Sequence, residues 1–113
     1  MHELGVVMEV VRVVEAFAQE NEVEEVATII LQVGELSSMI PKYIKDVYPA
    51  AVDGTTLENA ELEIEVIPAN GRCGSCHTVF HVPEHHGACP TCRGTQFEML
   101  SGREFYIKEI VCY

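Results

Sequence analysis

Leu4, Val7, Met8, Val11, Val14 and Ala18 recur at helical spacing, with Glu9, Arg12, Glu15 and Gln19 on the opposite stripe. That period predicts a helix over residues 3–20. The many valines lower helix propensity, but Val6-Val7 and Val10-Val11 break any alternation of period two, so the helical reading prevails. Val26 to Val33 is a short β-branched run ended by Gly34, which predicts a buried strand. Glu35 to Ile40 reads as a connection. Pro41 suits the first turn of a second helix that carries Tyr43, Ile44, Val47, Tyr48 and Ala51 and stops near Asp53-Gly54. From Ala60 to Ile67 the pattern alternates, with Leu62, Ile64 and Val66 on one face and Glu61, Glu63 and Glu65 on the other. It reads as a strand with one wet face; three glutamates on such a face are a solvated surface before they are a metal site.

Residues 70–94 change character: Gly, Cys, His and Pro replace the aliphatic residues. Beyond them, Gln96 to Leu100 and Phe105 to Val111 are β-prone and joined by a turn at Ser101-Gly102. Phe105-Tyr106-Ile107 and Ile110-Val111 break simple alternation, so a bulge or two-sided burial is expected. The fold class is therefore α+β, with two helices packed on a small, mainly antiparallel three-stranded sheet and an inserted zinc-knuckle module.

Composition narrows the function classes. A chain of 113 residues, 48% of them hydrophobic, has room for one domain or for one small core with an appendage. Acidic residues outnumber basic ones 18 to 7, a net charge of −11, which repels phosphate backbones and argues against nucleic-acid binding. No apolar run reaches the roughly 18 residues of a membrane span. The opening Met1-His2-Glu3 lacks the basic start of a secretory signal, so no membrane association and a cytoplasmic location are expected. In a reducing compartment, five cysteines point to metal or redox chemistry rather than disulfides.

Four of those cysteines form Cys73-x-x-Cys76 and Cys89-x-x-Cys92, separated by twelve residues. Each pair can grip one ion from a tight turn, and two such knuckles complete a tetrahedron. Gly74, Pro90 and Gly94 suit turns that aim backbone N–H groups at sulfur. Zinc is the default ion; a rubredoxin-like iron site has the same ligands. Cys73-Gly74-Ser75-Cys76-His77 also matches a c-type haem attachment string, but haem explains neither the second pair nor the missing export signal. A thioredoxin-like pair would open a helix after a strand, whereas this one follows Pro68-Ala69-Asn70-Gly71. Cys112 reads as a strand residue, not a ligand.

His77, His81, His85 and His86 crowd the loop between the pairs. They are either exposed loop residues or, for His77 and His81, candidates for an auxiliary metal or pH-sensing role. At the other end, Met1 should keep its free amine, because a bulky second residue blocks removal of the initiator methionine. That amine, the His2 backbone nitrogen and the His2 imidazole can chelate one ion through fused rings, a donor set suited to Ni(II) or Cu(II). Glu3 can add its backbone nitrogen or its carboxylate.

Taken together, the opening Met1-His2-Glu3-Leu4, the segment Val33-Gly34-Glu35-Leu36-Ser37-Ser38, and Leu62-Glu63-Ile64-Glu65 leading to both cysteine pairs resemble the HypA/HybF family. These are the nickel metallochaperones of [NiFe]-hydrogenase maturation, and the resemblance spans essentially the whole chain. It implies Ni(II) as transient cargo on Met1, His2 and Glu3, and structural or regulatory Zn(II) on Cys73, Cys76, Cys89 and Cys92. It implies a carrier, not an enzyme, that works with the GTPase HypB and delivers nickel to the hydrogenase large-subunit precursor. In some organisms the service extends to urease. The implied partition is a nickel-binding α+β domain, residues 1–68 plus 102–113, and a zinc-binding domain, residues 69–101, in a monomer or weak homodimer. Some family members have an acidic residue in the loop where this chain has Ile40-Pro41. Ile40 cannot donate, so a further carboxylate must come from Glu3, Glu35 or Asp46, or be replaced by water.

Overall fold

A computed structural model describes residues 2–113, with side chains from residue 3 onward. Helix α1 (His2–Glu20) buries Val7, Val10, Val11, Val14 and Ala18, a stripe at helical spacing. Met8, expected on that stripe, is 55% exposed, and Val10 takes its place. At about 100° per residue, Met8 sits a quarter-turn outside a stripe centred on Val7, Val14 and Ala18, while Val10 falls inside it.

The next three elements form a crossover. Strand β1 (Val26–Gly34) leads through a short turn to α2 (Pro41–Val52), and the chain returns along β2 (Glu61–Ile67). Pro41 opens α2 behind an extended Ile40, because a residue before proline is pushed out of the helical region. The helix buries Ile44, Val47, Tyr48 and Val52, and tolerates Pro49 within its last turn. Tyr43, expected in the apolar face, is exposed. The buried Tyr48 hydroxyl donates to the Ala60 carbonyl at 2.9 Å and so ties α2 to the start of β2.

The main sheet has the order β2-β1-β6, with β6 spanning Phe105–Cys112. β1 pairs parallel with β2 and antiparallel with β6. The sheet is thus mixed rather than mainly antiparallel, because strands joined by a crossover helix run parallel. Ile29, Leu31 and Val33 of the central strand are buried almost completely, each burial stabilising by about 2 kcal/mol. On β2, Leu62 and Ile64 pack on this core, whereas Val66 is half exposed. The other face is polar: Gln32 and Lys108 both donate to the Glu65 carboxylate, so Glu65 is engaged rather than merely solvated. The irregularity expected in the last strand occurs as register shifts against Val26/Thr28 and Ile30/Leu31.

Between β2 and β6 the chain builds a second sheet, β4-β3-β5, from β3 (Asn70–Cys73), β4 (Val79–His81) and β5 (Phe97–Met99). The stretches on either side of Ser101-Gly102 therefore part company, β5 pairing with β3 and β6 with β1. Cys73, Phe80, Val82 and Cys89 make its small core, with Phe97 and Met99 packed against them. This cluster shares no residue with the core under α1 and α2. A sphere-like chain of this length has a radius of gyration of about 13 Å; here it is 17.7 Å, with extents of 54 × 28 × 16 Å. The shape is that of two bodies end to end. Among the described residues no helix is long and apolar enough to cross a membrane.

Three chain segments cross at the waist between the bodies. Gly34 N–H donates to Glu104 O at 2.7 Å, Glu35 N–H to Ile67 O at 2.8 Å, and Leu36 N–H to Gly102 O at 2.7 Å. The crossing is too tight for side chains at two positions. A Cβ on Gly34 would lie 2.1 Å from the Gly102 carbonyl carbon, and one on Gly102, at φ +113°, would lie 2.5 Å from Ala69 Cα. Gly34→Ala must therefore push backbone against backbone, and we expect it to destabilise the fold by about 3 kcal/mol. Urea unfolding followed by circular dichroism reads that loss; a midpoint equal to the wild type would show that the waist yields.

Candidate metal centre

The small sheet places two tight turns side by side, and each carries a cysteine pair. In the first, Cys73 N–H donates to Thr78 O at 2.9 Å and His77 N–H to Cys73 O at 3.0 Å. In the second, Cys89 N–H donates to Gly94 O at 2.9 Å and Arg93 N–H to Cys89 O at 2.7 Å. The two knuckles thus repeat one hydrogen-bond pattern. Each contains one left-handed residue at the same place, His77 at φ +63° and Arg93 at φ +64°. The expected glycines, Gly74 and Gly94, do not carry the positive φ. Gly94 instead leaves room beside sulfur, since a Cβ there would stand 3.4 Å from Cys92 Sγ.

The turns bring all four thiols together. Cys73, Cys76, Cys89 and Cys92 offer sulfur atoms that all lie within 4.8 Å of one another. Cross-knuckle pairs are closer: Cys73–Cys92 at 3.4 Å and Cys76–Cys89 at 3.5 Å. None of the cysteines is in a disulfide. Four ligands at Zn–S distances of about 2.3 Å stand about 3.8 Å apart along each tetrahedral edge, so the cluster has the size of a single-ion cage. Cys73 and Cys89 are buried and Cys76 and Cys92 exposed, so each knuckle supplies one inner and one outer sulfur.

The electrostatics also fit a cation. The Cys76 and Ser75 N–H groups hold Cys73 below the ordinary thiol value, and those of Cys92 and Thr91 do the same for Cys89. Cys76 is lowered by its hydrogen bonds with the Thr78 hydroxyl and N–H. The Gly94 N–H pulls Cys92 the same way, but the neighbouring thiols outweigh it and push Cys92 up to about 11. Four negative sulfurs this close repel too strongly to coexist alone, and a bound divalent ion would supply the charge that lets the last proton leave.

The remaining candidates are scattered. His77 is exposed on its knuckle, and His86 is exposed at φ +53°. His85 meets Phe80 edge-on, with ring centroids 6.2 Å apart. His81, on β4, is outside the sulfur cluster and is engaged elsewhere: its Nε2 lies 2.7 Å from Glu35 Oε1. At the other end of the chain, Met1 lies outside the described residues, as does the side chain of His2, whose backbone begins α1. Glu3 occupies the first turn of that helix and is partly buried. Ile40 is exposed before α2. Cys112 is exposed on β6, as a strand residue.

Glu35, a spare carboxylate as far as local pattern shows, is engaged in the structure. Its Oε1 accepts the Ala69 N–H at 2.9 Å as well as the His81 ring. The Ala69 N–H first, and His81 second, hold its carboxyl below the usual range. The stability it contributes is therefore present above the ordinary glutamate pKa and is lost as pH falls through the lowered value. Its contact with residue 81 joins positions 46 apart in sequence, which no local motif announces.

The chain is similar to known proteins along nearly its whole length. Residues 1–112 match the family described as hydrogenase/urease nickel incorporation, metallochaperone, HypA. The hydrogenase maturation factor HypA of Geobacter sulfurreducens is 34% identical over 110 residues, 97% of each chain. That of Dechloromonas aromatica is 36% identical over the same span, again 97% of each. The fold is that of two solution structures. The Ni metallochaperone HypA from Helicobacter pylori superposes with a TM-score of 0.66 at 20% identity, covering 97% of this chain and 96% of that one. A second HypA protein superposes with a TM-score of 0.73 at 22% identity, covering 100% and 97%.

A module with so small a core should owe its order to the ion. Treating the metal-loaded protein with a strong chelator is expected to speed amide hydrogen exchange through residues 70–99 while amides of β1 keep their protection. Equal protection of both regions after metal removal would show that the second body folds without an ion.

Proposed function

The chain belongs to the HypA family of nickel-incorporation metallochaperones, which are carriers rather than enzymes, and from that premise we propose that it binds Ni(II) at its N-terminus and delivers it to the large-subunit precursor of a [NiFe]-hydrogenase. The observation that carries this reading is the family match over residues 1–112, which takes in the opening Met1-His2-Glu3. The Met1 amine, the His2 amide and imidazole nitrogens and a Glu3 donor supply a nitrogen-rich set suited to planar Ni(II). A site at a chain end loads and releases more readily than an enclosed cage. In this reading the GTPase HypB is the partner that hydrolyses nucleotide, and urease is a second recipient. The carrier works in the cytoplasm as a monomer or weak homodimer.

The second half of the reading assigns Zn(II) to Cys73, Cys76, Cys89 and Cys92. The spacing of the sulfurs and the rise of Cys92 support a divalent ion there. Its role is to neutralise the thiolates and hold the two knuckles together, a structural charge rather than a reactive one. The division of labour follows the two cores: residues 1–68 plus 102–113 serve nickel, and residues 69–101 serve zinc. Glu35 is the less favoured nickel carboxylate in this arrangement, because its Oε1 is taken by Ala69 and His81 and only its second oxygen is left to donate. Glu3, Asp46 or water completes the nickel shell. An auxiliary metal or pH-sensing role falls more naturally to His77, which is exposed, than to His81, whose Nε2 is already engaged.

The test is a nickel titration of untagged, zinc-loaded protein beside His2→Ala and beside a variant with one residue added before Met1, with zinc and iron quantified throughout. We expect one nickel per chain in the wild type, none in either variant, and zinc unchanged in all three. Equal nickel binding in all three would overturn the N-terminal site and move attention to the histidine-rich loop. Visible absorbance from an iron tetrathiolate would overturn the zinc assignment.

A further inference from the structure

The two bodies have separate cores, yet one carboxylate reaches across the waist to a strand of the smaller one. Glu35 follows β1, and its Oε1 accepts from Ala69 N–H at 2.9 Å and lies 2.7 Å from His81 Nε2 on β4. Its own backbone is fixed by the bond from Glu35 N–H to Ile67 O, so the carboxylate projects from a held position. Ala69 in turn accepts from Val82 N–H at 2.9 Å, just past the end of β4. Glu35, Ala69 and the β4 end thus form one connected set of hydrogen bonds. From this geometry we propose that Glu35 is a positioning residue, a clasp that through His81 and Ala69 fixes the orientation of the four-cysteine body on the α+β body.

The donor and acceptor roles follow from the partners of the ring. His81 Nδ1 accepts the Glu84 N–H at 3.3 Å, so the neutral ring carries its proton on Nε2 and donates it to Glu35. Adding a second proton turns Nδ1 from an acceptor into a donor, with Glu84 Oε2 standing 3.6 Å away, and leaves the Nε2–H bond to Glu35 in place. Glu35 and Glu84 are the charged groups that meet this ring, one at each nitrogen. The clasp is therefore made by the neutral and the charged imidazole alike. It is a strut in either charge state of the ring, and a partner that touches both bodies meets one preset arrangement.

The experiment is 15N relaxation, with residual dipolar couplings, on the full-length, zinc-loaded chain and three variants. In the wild type, amides of both sheets should fit one rotational diffusion tensor. Glu35→Ala and His81→Ala should each require two tensors and lose the wild-type relative orientation. Glu35→Gln, whose amide oxygen can still accept from both donors, should keep a single tensor. Zinc content and the dispersion of β1 amides confirm that each variant is folded. If Glu35→Ala does not fold, His81→Ala decides, since its ring is 30% exposed and leaves no cavity in either core. Two tensors in the wild type, or a single tensor with unchanged orientation in His81→Ala, would overturn the proposal. The readout involves no nickel, so its outcome is independent of whether the N-terminal site binds that ion.

Discussion

Four sulfur atoms held within 4.8 Å of one another set the terms for the whole smaller body. Backbone N–H groups from the knuckles favour the thiolate at Cys73 and Cys89, and Thr78 does so at Cys76. The same crowding holds the proton on Cys92, and a bound divalent ion would supply the charge that lets it leave. Beyond its own cysteines the hydrophobic cluster of this body is Phe80 and Val82, with Phe97 and Met99 at the margin. Such a core is too small to order three short strands and two turns. An ion held by the four thiolates, whose binding would contribute on the order of 10 kcal/mol to folding, would be the centre around which those elements close.

The larger body rests on a different balance. Its central strand is covered by α1 and α2 on one face, and the opposite face stays polar around Glu65. In the proposed reading, metal enters the two bodies on different terms: as a resident centre in one and as cargo in the other. The strong negative charge, −11 over the chain, suits a protein that attracts cations and avoids phosphate backbones.

Between the bodies the waist replaces hydrophobic packing with close backbone contact. Gly34 and Gly102 allow three segments to cross where side chains would collide, and the N–H groups of residues 34 to 36 are all hydrogen-bonded there. Glu35 is the side chain that carries this order into the second sheet. Its value lies in geometry more than energy, because a partly exposed ion pair contributes little to stability yet can hold an angle.

The sequence by itself determined whatever depends on local spacing. Val7, Val11 and Val14 imply the helix that buries them, Pro41 starts the second helix, and the two Cys-x-x-Cys pairs bring their sulfurs into one cluster. The helices are settled within a few residues, by the helical period and by the locked φ of proline, and each cysteine pair by the reach of its own tight turn. The meeting of the two pairs also needs the small sheet that sets the turns side by side. Tertiary structure alone decided the rest. The parallel pairing of β1 with β2 followed from the crossover through α2, and Val10 rather than Met8 faced the core because the sheet lies on that side. The separation of β5 from β6, and the meeting of Glu35 with His81, join residues far apart in the chain. Such contacts depend on which surfaces the two bodies bring together at the waist, a long-range packing outcome that no local period encodes.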